Sequence, residues 1–347
     1  MPTKSTKQLL REIDMKTKFK DNEWYSIRSM LGHTWAFFYI CIGGREAGKS
    51  YAVMNYFVHE WKTKGKPFIW LRLTEASVKK LLANNAAEFV DADIMRKAKL
   101  KLTQKAGTVY DHGKKMAKVL ALSTFYNDKG IALYDNEELR GYNICLDEMN
   151  RERSEKRTFD INYAFVNQME NLVRSTKDSN KLRIFLIGNT LEEASDIMCS
   201  FNFIPEQFGR YKLRKKKAII DYIPPGKRYL DRRKGTIADL LAPDASTFTN
   251  KVVVDVSLVY KGRLKKPTNV IRFSKTEAFT LWDGKVIAQY NNEKVYEINM
   301  QPYLDGVFNI TNRDGIIAAF HARGFFFRNL ITQKMFKKEL ELLKPRG

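Results

Sequence analysis

At 347 residues the chain is long enough for two ordinary domains or for one large α/β core with an appendage, and 44% hydrophobic and 12% aromatic residues exclude a disordered composition. Sixty-one Lys and Arg against thirty-nine Asp and Glu give a net charge of +22, which calls for a polyanionic partner, nucleic acid first among them. Cys41, Cys145 and Cys199 are too scattered for a disulfide framework, His33, His59, His112 and His321 show no ligand spacing, and the longest apolar stretch, Trp35 to Ile42, is too short to span a membrane; a soluble protein of a reducing compartment is expected.

The first 34 residues carry Lys4, Lys7, Arg11, Lys16, Lys18 and Lys20 without an apolar signal core, and are expected to form a basic, solvated arm. Ala36 to Ile42 is a continuous apolar run ending at Gly43-Gly44, which suits a strand buried on both faces of a parallel sheet. Val53, Phe57, Val58 and Trp61 then recur at helical spacing until Lys64-Gly65-Lys66-Pro67 stops them, and Phe68 to Leu71 is the next strand. Residues 98–124 read as short strands and turns inserted before Tyr142 to Leu146, a buried strand leading into Asp147-Glu148. Phe165, Met169, Leu172 and Val173 mark a crossover helix near 161–174, and Leu182 to Ile187 is a further buried strand leading into Gly188-Asn189. From Pro205 to Pro243, Arg210, Lys212, the run Arg214 to Lys217, Pro224-Pro225-Gly226 and Arg232-Arg233-Lys234 suggest a basic linker. Beyond it, Val252 to Tyr260, Val270 to Ser274, Ala278 to Trp282 and Val286 to Tyr290 read as strands, and Ile316 to Leu343 as mostly helix. The expected division is an arm or lead-in at 1–34, an α/β domain at 35–204, a basic linker at 205–243 and a smaller α+β domain at 244–347.

Gly43-Gly44-Arg45-Glu46-Ala47-Gly48-Lys49-Ser50 is a complete phosphate-loop motif between a predicted strand and a predicted helix. Glycines at 43 and 48 let backbone N–H groups converge on phosphate oxygens, Lys49 supplies charge to the β and γ phosphates, and Ser50 offers a hydroxyl to Mg²⁺. Arg45 is a further phosphate contact at a permissive position. Asp147 closes an apolar strand where a carboxylate holds Mg²⁺, and the adjacent Glu148 can polarise the attacking water. That pairing marks nucleotide hydrolases of the additional-strand type; the bland alternative is a strand capped by two solvated acids. Asn189, ending the next strand, is placed to sense the γ phosphate or the water.

Together with Cys145-Leu146-Asp147-Glu148, Met169-Glu170-Asn171-Leu172-Val173-Arg174 and Ile187-Gly188-Asn189, the loop resembles the DNA-packaging ATPases of phi29-type tailed phages. The resemblance covers most of the chain, closest over 36–190 and loose after 205. It implies a RecA-like ATPase domain with a parallel central sheet, followed by a small domain resembling a degenerate RNase H-type nuclease. It also implies ATP and Mg²⁺ as cofactors, and a homopentameric ring that drives double-stranded DNA through the portal of an empty procapsid in the host cytoplasm, with a structural packaging RNA as a possible further partner. By the same resemblance Arg174 is an arginine finger acting in trans, where position alone would leave it a solvated arginine at a helix C-terminus, and Lys129 is a second trans-acting basic residue.

Nuclease activity is not expected. Asp255, in the alternating Val254-Asp255-Val256, could be a remnant of one metal ligand, but no matching acids accompany it, and Asp283 lies in a turn. The competing readings are a helicase or other DNA-translocating ATPase, and a nucleic-acid-binding module with a relic phosphate loop.

Overall fold

The apolar run before the phosphate loop forms a strand at the heart of a ten-stranded sheet in the computed structural model. The structure describes residues 13–14, 24–44, 46–128, 143–150, 159–173, 182–189, 195–205, 207–241, 257–272, 278–289, 313–322 and 324–343. Within them the chain divides into two units, 1–201 with 205–253, and 202–204 with 254–347.

In the larger unit the elements are β1 (Ile13–Asp14), α1 (Arg28–Leu31), β2 (Phe38–Ile42), α2 (Lys49–Lys64), β3 (Phe68–Arg72), α3 (Glu75–Ala86), α4 (Ala92–Ala98), β4 (Leu102–Lys105), β5 (Thr108–Asp111) and β6 (Lys114–Ala121). There follow β7 (Asn143–Asp147), α5 (Ile161–Val173), β8 (Arg183–Gly188), α6 (Asp196–Phe201), β9 (Gly209–Leu213), β10 (Ala218–Tyr222), α7 (Lys227–Arg233) and α8 (Ile237–Leu241). The sheet order is β1-β9-β10-β2-β8-β7-β3-β6-β5-β4. Strands β10, β2, β8, β7, β3 and β6 all run parallel, flanked by antiparallel pairs at both edges. Strand β8 lies between β2 and β7, so the strand bearing Asp147 is not adjacent to the one feeding the phosphate loop. This is the additional-strand arrangement expected from Asp147-Glu148.

Helix α2 turns Val53, Met54, Phe57 and Val58 inward, where Phe57 meets Phe68, Trp70 and Phe185 at centroid distances of 5.1, 6.0 and 5.3 Å. Phe57 is fully buried, and truncating such a side chain to Ala costs about 3–5 kcal/mol. The helix ends where expected: Gly65 takes φ 63°, and its N–H donates to Trp61 O.

Three expectations change. Residues 98–124 are not an insertion: β6 continues the parallel sheet beside β3, with β5 and β4 folded back on its outer edge. Nor does 205–243 behave as a linker, because β9 and β10 within it extend the sheet on the other side of β2. The basic residues there mix exposed side chains such as Lys215 with Arg210, which is 3% exposed. The described part of the lead-in is packed rather than solvated, with Ile27 and Met30 buried and Ile13–Asp14 paired to β9, while the arm's lysines and Arg11 lie outside the described residues.

The smaller unit contains β11 (Pro267–Arg272), β12 (Ala278–Trp282), β13 (Val286–Gln289), α9 (Arg313–His321), β14 (Phe326–Phe327) and α10 (Leu330–Leu343). Its sheet runs β11-β12-β13-β14, antiparallel except for the parallel last pair. Phe279, Phe325, Phe327 and Phe336 form its core. The predicted terminal helical stretch is thus split by β14, and most of the predicted strand from Val252 to Tyr260 lies outside the described residues. Among the described residues, no helix is long and apolar enough to cross a membrane.

Candidate functional site

Parallel strands deliver their carboxyl ends to one edge, and in this sheet that edge collects Gly43 after β2, Arg72 at the end of β3, Asp147-Glu148 at the end of β7 and Gly188-Asn189 at the end of β8. Gly43 is required by close approach: a Cβ there would lie 3.0 Å from the Ile223 Cβ. Gly48 is required twice over, by its φ of 83° and by Trp24, whose ring a Cβ would meet at 3.2 Å.

Lys49, 5% exposed, opens α2 and curls back so that Nζ donates to Gly43 O at 2.9 Å and Gly44 O at 2.5 Å. Burial lowers its pKa to about 8, partly countered by Cys41 and Asp147, so the amine remains largely charged at neutral pH. The next residue, Ser50, donates its hydroxyl to Asp147 Oδ1 at 2.9 Å. Burial pushes the Asp147 carboxyl up, against the pull of Arg72 and Ser50.

Arg72 carries no local sequence signal, since it directly follows the apolar run that ends at Leu71. Its guanidinium donates to Asp147 Oδ2 at 2.9 Å and, through the other terminal nitrogen, to Glu148 Oε2. The remaining nitrogen, Nε, is buried with no hydrogen-bond partner among the described residues. Glu148 takes φ 58°, an unfavourable conformation for a non-glycine residue, and its side chain is half exposed. The backbone after it is fixed by Met149 N–H on Ile187 O at 2.9 Å and by Asn150 Nδ2 on Asn189 O at 3.3 Å. Gly188 makes this possible, since a Cβ would lie 2.7 Å from Met149 Cε. Asn189 is therefore at the predicted edge, beside the Asp147-Glu148 turn. Arg45, Lys129, Arg174 and Asp255 lie outside the described residues. Glu46, at φ 61°, accepts from Arg232 at 3.4 Å.

The donors fit the expected groups. Ser50 Oγ and Asp147 Oδ1 are hard oxygens 2.9 Å apart, the pair a magnesium ion shares with nucleotide phosphates, and the side-chain-free turns at Gly43 and Gly48 leave backbone room for those phosphates. Among the described residues there is no group of three or more His, Cys, Asp and Glu that could hold a metal by protein ligands alone.

A family model described as podovirus DNA encapsidation protein (Gp16) matches residues 20–318. Among solved structures, the phi28 gp11 DNA packaging motor aligns over 92% of this chain and 97% of its own, at 13% identity and a TM-score of 0.61. The bacteriophage phi29 viral genome packaging motor assembly aligns over 92% and 99%, at 19% identity and a TM-score of 0.59. At such identities these likenesses speak for the fold. No curated protein sequence matches the chain.

Proposed function

The chain belongs to the podovirus DNA encapsidation family as a packaging-motor ATPase subunit, and we propose that it hydrolyses ATP at the loop from Gly43 to Ser50 to drive double-stranded DNA into a preformed capsid. The observation that carries this reading is the meeting of Lys49, Ser50, Asp147 and Glu148 at one sheet edge, with Ser50 and Asp147 in direct contact across 97 positions of sequence.

In this reading Lys49 exchanges the Gly43 and Gly44 carbonyls for the β and γ phosphate oxygens, and Ser50 and Asp147 hold Mg²⁺. The metal, when bound, neutralises charge that develops on the phosphates. Glu148 takes the proton of the attacking water as general base, which requires it to exchange the Arg72 guanidinium for that water. Asn189 orients the water or the γ phosphate from the neighbouring strand end. Arg45 adds a phosphate contact, while Arg174 and Lys129 reach a neighbouring subunit's nucleotide in a homopentameric ring. The ring sits on the procapsid portal in the host cytoplasm, and a structural packaging RNA is a candidate further partner. The smaller unit faces DNA or portal as a degenerate RNase H-type domain that does not cut. Its mixed sheet and the two helices among its described residues support the α+β class, and Asp283 supports the lack of a metal role. That carboxylate accepts the backbone N–H groups of Lys265 at 3.2 Å and Lys266 at 3.0 Å.

Phosphate release measured with procapsids and DNA tests the reading. Lys49→Ala should abolish turnover, and Glu148→Gln should bind ATP while turning over about 10²- to 10⁴-fold more slowly. Full-rate hydrolysis in either variant sinks the assignment.

A further inference from the structure

Trp24 is 53% exposed and stands against the phosphate loop, with an apolar ring and a polar N–H both available to a ligand. It is not loosely held. The next residue, Tyr25, donates its backbone N–H to Ala47 O inside the phosphate loop at 3.1 Å and its hydroxyl to the buried Asp221 at 2.9 Å. Ile27 and Met30, a few residues on, are buried in the core. The indole therefore stands at a fixed place against Gly48, with ring atoms Cε3 and Cδ2 at 3.2 and 3.7 Å from where a Cβ would project. Arg232 lies over the ring at 5.5 Å from its centroid and is tied back to the loop through Glu46 at 3.4 Å. A tryptophan, a guanidinium plane and the loop backbone thus form one partly open aromatic and cationic surface at the point where α2 begins.

We propose that Trp24 and Arg232 form the base-stacking subsite of the nucleotide site, taking the planar purine of the triphosphate whose phosphates lie in the loop. The inference rests on the ATPase reading and adds to it the part of the ligand that the loop itself does not touch. A π-face recognises ring area rather than a hydrogen-bond pattern, so the subsite favours purines over pyrimidines without separating adenine from guanine. It also gives Gly48 a second reason to lack a side chain: a Cβ would push the platform off the loop.

Equilibrium binding of Mg-ATP, Mg-CTP and inorganic tripolyphosphate to the full chain tests this. Trp24→Leu should weaken ATP binding about tenfold while leaving tripolyphosphate binding unchanged, and Trp24→Phe should recover most of the loss. Arg232→Ala, on the surface, should narrow the preference for ATP over CTP without altering tripolyphosphate binding. Equal binding of ATP, CTP and tripolyphosphate by the unaltered chain overturns the subsite and leaves the phosphate loop intact. So does a Trp24→Leu variant that loses ATP and tripolyphosphate alike, or one that changes only self-assembly. Should Trp24→Leu fail to fold, the Arg232→Ala preference decides alone. Failure of the ATPase reading looks different: no binding of either ATP or tripolyphosphate, and no effect of Lys49→Ala.

Discussion

Arg210 and Asp221 face each other across β9 and β10, with Arg210 Nε on Oδ1 at 2.6 Å and a terminal nitrogen on Oδ2 at 2.7 Å. On the same sheet Arg72 bridges Asp147 and Glu148. The chemistry is the same and the finish is not. The first cluster is closed: Asp221 is fully buried, Tyr25 gives it a third donor, and Arg210 also reaches Ser29 Oγ at 2.8 Å. The second is open: Glu148 is half exposed and in a left-handed backbone conformation, Arg72 Nε has no partner among the described residues, and burial raises the Asp147 carboxyl. A cluster that serves the fold satisfies its polar groups internally, whereas one that serves a ligand leaves them short until the ligand arrives.

Removing Asp221 should break that comparison most visibly. Asp221→Ala leaves the Arg210 guanidinium buried without its carboxylate, and a loss of about 3–5 kcal/mol in denaturant unfolding is expected. A change below about 1 kcal/mol would mean that the pair does not anchor β9 and β10. Asp147→Asn should do the reverse: nearly unchanged unfolding, but hydrolysis reduced by at least about a hundredfold because the metal ligand proposed above is gone. If the unfolding loss matched that of Asp221→Ala, the Arg72 cluster would be structural after all.

Asp111 extends the closed type to the far edge of the sheet. It accepts from Trp61 Nε1 at 3.0 Å, Lys62 Nζ at 3.1 Å and Lys101 N at 3.0 Å, with His112 Nδ1 at 2.7 Å. Burial alone would raise its pKa, but these donors outweigh it and hold the carboxyl at about 2. Because the folded value lies below the unfolded one, the stabilisation is complete above about pH 4 and is lost as pH falls through about 2. The loss amounts to about 2 kcal/mol, and Asp111→Asn should flatten that part of the stability profile measured by urea unfolding.

The phosphate loop and the Asp147-Glu148 strand end were legible because their signals are local: a fixed glycine spacing, an apolar run and the residues directly after it. Order along the chain also gave the crossover helix, found at Ile161–Val173. What sequence concealed depends on partners far away. Arg72 ends a strand that reads as apolar, and its meaning appears only when β7 pairs beside β3. Arg210 looked like one more charge in a basic linker, since the carboxylate that buries it follows eleven residues later on a strand whose own signal, Ala218 to Tyr222, was masked by the basic run before it. Charge density suggests a linker there, although an arginine opposite an aspartate in a paired strand is a reason to be inside.

Tyr25 joins the closed cluster to the open edge, and Tyr25→Phe is the finest probe of the distinction. The hydroxyl is buried, and burial together with Asp221 and Cys41 pushes its pKa well up, so it remains a donor throughout the accessible pH range. Phenylalanine keeps the ring and the backbone bond to Ala47 but withdraws one donor from Asp221, which retains both of its Arg210 bonds. The expected cost is about 1 kcal/mol, since the carboxylate is never left unpaired. The same change loosens the residue after Trp24. If the lead-in is held mainly by Ile27, Met30 and the Ala47 bond, ATP affinity should be unchanged while unfolding shifts slightly. An ATP-binding loss larger than the stability loss would show instead that the Asp221 cluster, closed as it is, positions the nucleotide edge.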